Sequence, residues 1–494
     1  MITILTTVYN GYEFLEECAK SVLCQQERHE DVSLSWEWWI GVNGHGLDGG
    51  EALKAAEAVT RDPRIHIINL PEAKGRVAAL NALRAAAVKP ATEWLAILDC
   101  DDIWEPEKLI TQICAAKMSK EPMDIVGTFC TYFGEQRGSP TLPAGWIRLE
   151  DIMKSNPIIN SSCLIRVGLG DNLGEWQDRF GLEDYDLWIR AAAAGKRLFN
   201  VPHALVRHRV HKTSAFNGRG LQNPDALRGF YSYLLKPTVV TAYYPIPSKY
   251  KANDYVKWIL GFWPKMQCNL VFYTDTQLVE LFQKAFQGRP NTRVIGLPFA
   301  SLSAFTKLSQ NIWVDTKLLD TEVGHTPELY ALWYEKKEFV LRAMALNPFQ
   351  SKEFVWCDAG IGRYPDWIPK IQGFPAQHLV PRGRMLLLEI DPLRPEDFVA
   401  GDDGIFGNFG KRATFGGGIL ASDIEGWTRW SKAYDAMLIR YHLSRRFIGK
   451  DQNIMASIVI ENPQLVTIVK RPAALGPIAG WFYLLFFLAG LSIP

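Results

Sequence analysis

The chain has 494 residues, of which 48% are hydrophobic and 22% are charged, a composition typical of globular proteins. At about 150 residues per domain, this length predicts two or three domains. The 54 lysines and arginines nearly balance 53 acidic residues, and the net charge of +1 excludes nucleic-acid binding driven by overall charge. The eight cysteines form no CxxC pair and lie mainly in apolar segments, which indicates a reducing, cytoplasmic compartment.

The first half of the chain alternates between short apolar runs and helical patterns. Strands are predicted at 2–8, 36–42, 65–70 and 94–98, with helices at 14–23, 52–59 and 75–87 between them. Because this alternation is typical of a parallel sheet covered by helices, we predict a doubly wound α/β domain. The first strand starts at residue 2, so we expect no signal peptide.

Three carboxylates, Asp99, Asp101 and Asp102, follow the central apolar run. Asp99 and Asp101 project to the same side, at the strand end where open α/β sheets bind ligands. Two carboxylates there repel each other unless a cation joins them, and a hard divalent ion that also binds phosphate suits oxygen ligands. The alternative is the acidic start of a helix near Pro106, which accounts for Asp102 better than for the other two.

Two cations, Lys74 and Arg76, lie at the start of the predicted helix 75–87. Positive charge there opposes the helix dipole unless a phosphate binds between the cations and the helix end. The alternative is a pair of solvated surface cations. The loop 43–49 is rich in glycine, which allows backbone to approach a ligand closely.

Several short motifs occur together within residues 1–220. They are Thr6-Thr7-Val8-Tyr9-Asn10-Gly11, Ala79-Leu80-Asn81, Asp99-Cys100-Asp101-Asp102, Asn160-Ser161-Ser162-Cys163, Gly181-Leu182-Glu183-Asp184-Tyr185 and Arg209-Val210-His211-Lys212-Thr213-Ser214. In this order and spacing they resemble the family 2 glycosyltransferases of the GT-A fold. The resemblance implies metal-dependent, inverting transfer of a sugar from a nucleotide-sugar donor, a UDP-sugar by default, to a glycan or a lipid-linked glycan.

The resemblance also implies a metal site and a general base. Asp99, Asp101 and His211 would hold Mn²⁺ or Mg²⁺ against the donor diphosphate. His208 lies three residues from His211, so alternation along a strand predicts that only His211 faces the site. The alternative for His211 is an ordinary hydrogen-bonded histidine.

Asp184 would take the proton of the acceptor hydroxyl, and Glu183 is the rival base. The alternative for this pair is helix capping just before Tyr185.

The donor nucleotide is expected to contact the ends of several strands. Where the family usually carries two acids after the second strand, this chain has Asn43-Gly44, and Asp48 matches the later acid of that loop. Asn43 can still hydrogen-bond the edge of a base. The expected donor contacts are Thr6, Tyr9, Asn43, Asp48, Lys74, Arg76, Asn81 and Asp99.

The alternation of strands and helices restarts after a linker helix at 221–236, with strands predicted at 238–243, 270–273, 293–297 and 354–357. With the segments 325–330, 335–337, 416–418 and 449–452, residues 237–470 resemble the HtrL/YibB-like family, bacterial proteins regarded as glycosyltransferases. Asp358 follows the last of these strands and is the expected catalytic acid, with Asp451 as a second metal ligand. Lys337 either meets a phosphate or is an exposed lysine of its helix. The alternative for Asp358 is an acid that caps a turn.

The tail 472–494 carries no charge, and its strongly apolar part at 480–491 is shorter than the ~20 residues that span a bilayer. We expect an interfacial anchor near lipid-linked acceptors, at the inner face of a membrane. The alternative is a terminal segment that docks on the core of the second domain.

Together these patterns predict two GT-A-like α/β domains in tandem, at 1–220 and 237–471, joined by the linker 221–236 and followed by the tail. The expected protein is a cytoplasmic, bifunctional glycosyltransferase that builds part of a surface glycan. The rivals are a second domain that only binds or scaffolds glycan, and a nucleotidyltransferase. A dehydrogenase is disfavoured, because no GxGxxG follows the first strand.

Overall fold

The computed structural model describes residues 1–169, 173–212, 222–248, 250–309, 311–320, 322, 324–410 and 412–491. It divides into two compact units, Met1–Ser232 and Tyr233–Pro494. The motif residues Thr213 and Ser214, the predicted boundary at 220–221 and the end of the tail at 492–494 lie outside the described residues. The helix Pro224–Phe230, which we predicted as a linker, belongs to the first unit.

Seven main strands build the described sheet of the first unit. They are β1 Ile2–Val8, β2 Trp36–Asn43, β3 Ile65–Leu70, β4 Trp94–Ile97, β5 Ile125–Gly134, β6 Leu164–Arg166 and β7 Leu198–Val210. Their spatial order is β3-β2-β1-β4-β6-β5-β7. Only β6 runs antiparallel to its neighbours among these seven, so the sheet is mixed but mainly parallel.

Nearly every residue of β1 and β4 is buried, which requires that helices cover both faces of this sheet. The helices are Leu15–Leu23, Gly50–Ala58, Arg76–Ala87, Lys108–Met118, Leu149–Ile152, Glu183–Ala193 and Pro224–Phe230. Short strands at Ile103–Trp104 and Gly145–Ile147 pair with β7, and Arg28–His29 pairs with Val32–Ser33. The α/β class predicted for this half is confirmed.

The second unit is also an α/β unit around one described main sheet. Its strands are β8 Thr238–Tyr243, β9 Asn269–Thr274, β10 Thr292–Gly296, β11 Glu353–Cys357, β12 Met385–Glu389, β13 Phe415–Asp423 and β14 Val466–Lys470. Their spatial order is β10-β9-β8-β11-β13-β12-β14. Again only the sixth strand, β13, runs antiparallel to its neighbours among these seven. The second sheet therefore repeats both the strand order and the strand directions of the first.

The helices of the second unit vary more in length than those of the first. They are Ala252–Phe262, Val279–Ala285, Ser303–Thr306, Asn311–Lys317, Pro327–Leu346, Ile424–Leu443, Asp451–Glu461, Pro477–Trp481 and Tyr483–Leu488. The longest two, Pro327–Leu346 and Ile424–Leu443, contribute Tyr330, Phe339 and Trp427 to one hydrophobic cluster. The segment 416–418, one of those that carry the resemblance of this half, lies inside β13.

The apolar tail packs into the second unit. Leu484, Leu485 and Leu488 are at most 1% exposed, within a cluster that also contains Phe272 and Ile371. The apolar side chains that an interfacial anchor would need are therefore buried in protein, which corrects that prediction in favour of the docked alternative. In the part of the chain that the structure describes, no helix combines the length and hydropathy needed to cross a bilayer.

Candidate functional site

A cavity of about 870 Å³ opens in the first unit at the carboxyl ends of its parallel strands. Tyr9 follows β1, Asn43 ends β2 and Asp99 follows β4, so three neighbouring strands deliver side chains to one place. This is the edge where open α/β sheets bind ligands. The start of the helix Glu183–Ala193 brings Glu183 and Asp184 to the same cavity.

Arg76 joins two of the predicted acids. Its guanidinium lies 2.6 Å from Oδ1 of Asp99 and 3.0 Å from Oε1 of Glu183. Burial disfavours its charge, yet these two carboxylates raise the pKa of Arg76 above its ordinary value. Two carboxylates therefore balance Arg76 at the helix start, and no phosphate is needed to account for it. Lys74, the other predicted cation, is exposed and lines the same cavity.

Asp101 lies among other acids. Burial, with the nearby carboxylates of Asp102 and Asp99, raises its pKa, while a hydrogen bond of 2.8 Å to Nε2 of His211 opposes that rise. Asp102 is fully buried and accepts a hydrogen bond of 2.8 Å from the backbone N–H of Arg209. Asp102 thus fixes the end of β7 rather than the start of a helix.

Both histidines line the cavity, which corrects the expectation that only His211 would do so. Nδ1 of His208 lies 3.0 Å from Oδ2 of Asp102. Burial disfavours charge on His208, but Asp102 outweighs it and raises the pKa of His208 to about 9. The alternation argument failed because β7 ends at Val210, so His211 lies beyond the regular strand.

Asp184 has a different environment from Asp99. Asn156 donates a hydrogen bond of 3.0 Å to its Oδ2, and the backbone N–H of Tyr185 lies 2.6 Å from its Oδ1. Burial and the neighbouring charge of Glu183 raise the pKa of Asp184 to about 6. A carboxyl group with this pKa can exchange a proton near neutral pH.

The predicted donor contacts divide into two groups. Tyr9, Asn43, Lys74, Arg76 and Asp99 line the cavity.

Thr6, Asp48 and Asn81 do not line it. Thr6 is buried and accepts a hydrogen bond of 2.9 Å from Nε1 of Trp38, because alternation along β1 turns Thr7 toward the cavity instead. Asp48 is exposed in its loop. The side chain of Asn81 donates to the carbonyl of Trp176 and accepts from its N–H, so it fixes a loop.

Sequence reasoning missed two amides that orient the acids. Asn156 holds Asp184, and Asn160 donates a hydrogen bond of 3.3 Å to Oδ1 of Asp99. Asn160 begins the motif Asn160-Ser161-Ser162-Cys163 and Asn156 lies four residues before it, which is the signal that could have identified them.

The acids at the end of β4 suit a hard divalent cation. The raised pKa of Asp101 shows that its charge is disfavoured among Asp99 and Asp102, and a cation bound to these oxygens would relieve that repulsion. Within the described residues, no cluster of three or more His, Cys, Asp or Glu side chains is arranged to hold a metal ion. Such an ion would therefore take part of its coordination from the donor phosphates and water.

In the second unit, Asp358 lines a separate cavity of about 220 Å³. Nζ of Lys336 lies 3.5 Å from Oδ1 of Asp358 and 2.9 Å from Oδ2 of Asp451. The predicted pair of Asp358 and Asp451 is thus joined by a lysine. Lys337, which we placed near a phosphate, is buried against Glu338 at 2.6 Å, on another face of the same helix.

The family match lies within the first unit. Residues 3–165 match glycosyl transferase family 2. The first unit is a family 2 glycosyltransferase domain. The chain therefore carries a glycosyltransferase domain. No family assignment covers the second unit, and its HtrL/YibB-like resemblance stays a prediction.

Three similar proteins illustrate the match. An uncharacterized glycosyltransferase of Haemophilus influenzae is 26% identical over 233 residues, covering 45% of this chain and 81% of that protein. The amylovoran biosynthesis glycosyltransferase AmsE of Erwinia amylovora is 24% identical over 226 residues, covering 44% and 80%. The mannosyltransferase PcManGT of Pyrobaculum calidifontis, solved with GDP-Man and Mn²⁺, is 17% identical with a TM-score of 0.33, covering 43% and 58%.

Proposed function

We propose that the first unit transfers a glycosyl group from a nucleotide sugar, a UDP-sugar by default, to a hydroxyl group of a growing surface glycan. The observation that carries the proposal is Asp184, a carboxyl with a pKa of about 6 in the cavity that also contains Asp99 and Asp101. Such a group can accept a proton at neutral pH beside a donor held by the other two. The relative named for amylovoran biosynthesis supports a product in surface polysaccharide synthesis.

The proposed reaction is one displacement with inversion. The acceptor oxygen forms a bond to the anomeric carbon as the bond from that carbon to the diphosphate oxygen breaks. The hydroxyl proton passes to Asp184, and the electron pair of the broken bond leaves with the nucleoside diphosphate. Asn156 orients the Asp184 carboxyl during this transfer.

Asp99, Asp101 and His211 would supply only part of the coordination of the divalent ion, because as they stand they do not form a three-ligand cluster, and the donor diphosphate and water would supply the rest. Bound there, Mn²⁺ or Mg²⁺ supplies positive charge that stabilises the leaving diphosphate. Arg76 keeps Asp99 and Glu183 in fixed positions through its two ion pairs. Glu183 is therefore a positioning residue in this proposal, and Asp184 is preferred over it as the base.

The test is release of nucleoside diphosphate from a panel of UDP- and GDP-sugars, with Mn²⁺ or with EDTA. We expect turnover with Mn²⁺ that EDTA abolishes, and loss of donor binding in Asp101→Asn. The exposed Asp31→Asn provides the matched control, since it makes the same change far from the cavity lining. Turnover that survives both EDTA and Asp101→Asn would contradict metal-dependent donor binding.

We also infer that the chain is bifunctional, with a second transfer site centred on Asp358 of the second unit. The repeated strand order of the two sheets supports this proposal. Asp358 follows the fourth strand of its sheet, as Asp99 does in the first unit. The two sites would add successive sugars to one acceptor, at a cytoplasmic location.

One observation favours the alternative that the second unit binds glycan without transfer. Asp451 begins the last helix before β14 as Glu183 begins the last helix before β7, so Gln452 takes the place of Asp184. An amide cannot accept the proton. Mass spectrometry of products from Asp358→Asn separates the two: a bifunctional chain gives a product one sugar short at normal rate, whereas a binding unit gives the normal product slowly.

A further inference from the structure

Corresponding helices and strand ends of the two units carry charged side chains. In the first unit, a cation from the last helix before the fourth strand pairs with two acids. One acid follows the fourth strand, and the other begins the last helix before the seventh strand. These residues are Arg76, Asp99 and Glu183.

The second unit repeats this arrangement with Lys336, Asp358 and Asp451, each on the corresponding element. Since strand order, strand directions and this set of charges all recur, the second cavity corresponds to the first.

Further hydrogen bonds hold the charged side chains of the second set in place. Besides the two carboxylates, Nζ of Lys336 donates to the carbonyl oxygen of Gly417 at 2.8 Å. A Cβ at position 417 would lie 2.5 Å from Oδ2 of Asp451, so glycine is required for that carboxylate to reach the lysine. Trp356 donates its indole N–H to Oδ1 of Asp358 at 2.8 Å.

The two sites differ after the fourth strand, where the first site has a second acid and the second site does not. Asp101 lies two residues after Asp99, whereas Gly360 lies two residues after Asp358. Among the described residues, four carboxylates line the first cavity, including both Asp99 and Asp101 at the strand end. In the second site, Asp358 lines the cavity and Asp451 pairs with Lys336 beside it, so two carboxylates accompany the two cations Lys336 and Arg363. A divalent ion thus meets two strand-end carboxylates in the first site but only one, already paired with Lys336, in the second, where a diphosphate would have Lys336 and Arg363 as its cations.

We propose that the second unit binds the diphosphate of a nucleotide sugar without a divalent ion, using Lys336 and Arg363 in its place. This inference rests on the proposed second donor site. Arg363 lines the same cavity and is held by the carbonyl of Gly360 at 3.0 Å. The second cavity has about a quarter of the volume of the first, so the inference concerns the charged end of the donor.

The experiment is calorimetric titration of the full chain with UDP, GDP, CDP, dTDP and ADP, each with Mn²⁺ and with EDTA. We expect one of the five to bind once per chain in EDTA, and Asp101→Asn to leave that binding unchanged. Lys336→Met should weaken it at least about tenfold, and Lys336→Arg should restore it. The exposed Lys265→Met is the matched control in the same unit.

If Lys336→Met fails to fold, Arg363→Gln at the cavity wall still tests the proposal, since it also removes a cation and should weaken EDTA-resistant binding several-fold. If none of the five nucleotides binds in EDTA, the inference is overturned. Mn²⁺-dependent binding that Asp101→Asn removes would, in that case, still support the function proposed for the first unit. EDTA-resistant binding that Asp101→Asn removes and Lys336→Met spares would overturn both.

Discussion

Replacing Asp184 by asparagine removes one charge from the first cavity and keeps the shape of the side chain. The two oxygens of Asp184 accept separate hydrogen bonds, from Asn156 and from the N–H of Tyr185. Asparagine has one acceptor oxygen, so it keeps one of these bonds and turns its NH2 group toward the other donor. The substitution therefore removes the ionisation at the cost of one hydrogen bond. We expect Asp184→Asn to keep donor binding, to lose glycosyl transfer and to gain stability relative to the wild type as pH rises.

The size of the stability effect follows from the pKa. Burial raises the pKa of Asp184 from an ordinary 3.8 to about 6. At about 1.4 kcal/mol for each tenfold change in proton affinity, ionising this carboxyl in the folded protein costs about 3 kcal/mol. The folded state binds the proton more tightly than the unfolded state does. This group therefore lowers the free energy of unfolding as pH rises from about 4 to about 6, and its full cost applies above pH 6.

The assay is urea unfolding of the wild type and Asp184→Asn at several pH values, with Asp31→Asn as the exposed control. The difference in unfolding free energy between variant and wild type should move in favour of the variant from pH 4 to pH 6, toward a total pH-dependent change of about 3 kcal/mol. A constant loss of about 1–3 kcal/mol, for the hydrogen bond that asparagine cannot accept, offsets this change at every pH. In parallel, kcat/KM of the wild type should rise with pH through about 6, as the base loses its proton. A difference in unfolding free energy that does not change with pH would refute the shifted pKa of Asp184. Wild-type transfer rates in Asp184→Asn would refute its assignment as the base.

Three further substitutions test features that the structure revealed. Asn81→Ala should cost about 1–3 kcal/mol in urea unfolding, because it leaves the buried backbone groups of Trp176 without partners, and donor affinity should not change. Leu485→Ala should cost about 2–5 kcal/mol, because this tail residue is fully buried, while liposome flotation should show no binding for either protein. Gly417→Ala should displace the Asp451 carboxylate from Lys336 and weaken EDTA-resistant nucleotide binding in calorimetry.

The main strands were predictable because their local pattern and their final environment agree. The runs 94–97 and 353–357 are mainly apolar, and the apolar residues of run 2–8 are interrupted only by threonine, which favours strands. A strand buried on both faces of a sheet requires such a run. Acids that directly follow such runs, as Asp99 and Asp358 do, must lie at the ligand-binding edge of the sheet. Sequence therefore located both cavities before any contact was known.

Partners across the fold were not predictable in the same way. Arg76 pairs with Glu183 across more than one hundred residues, and nothing local in either segment specifies that contact. Lys336 and Lys337 are adjacent, so only the rotation of the helix Pro327–Leu346 decides which one meets Asp358. The predicted donor contact of Thr6 was wrong for a related reason, because one step along a strand moves a side chain to the opposite face of the sheet.

The tail shows how an apolar, uncharged segment can be misread. Such a segment lowers its free energy by leaving water, and lipid and a protein core satisfy that requirement equally well. Here the side chains of Leu484, Leu485 and Leu488 fill a core, while Trp481 and Phe482 line the cavity that contains Asp358. The composition of the tail is thus explained by the second site itself. Removal of this segment would expose that core and open one wall of the cavity, so its primary effect would be on the second site and not on association with membranes.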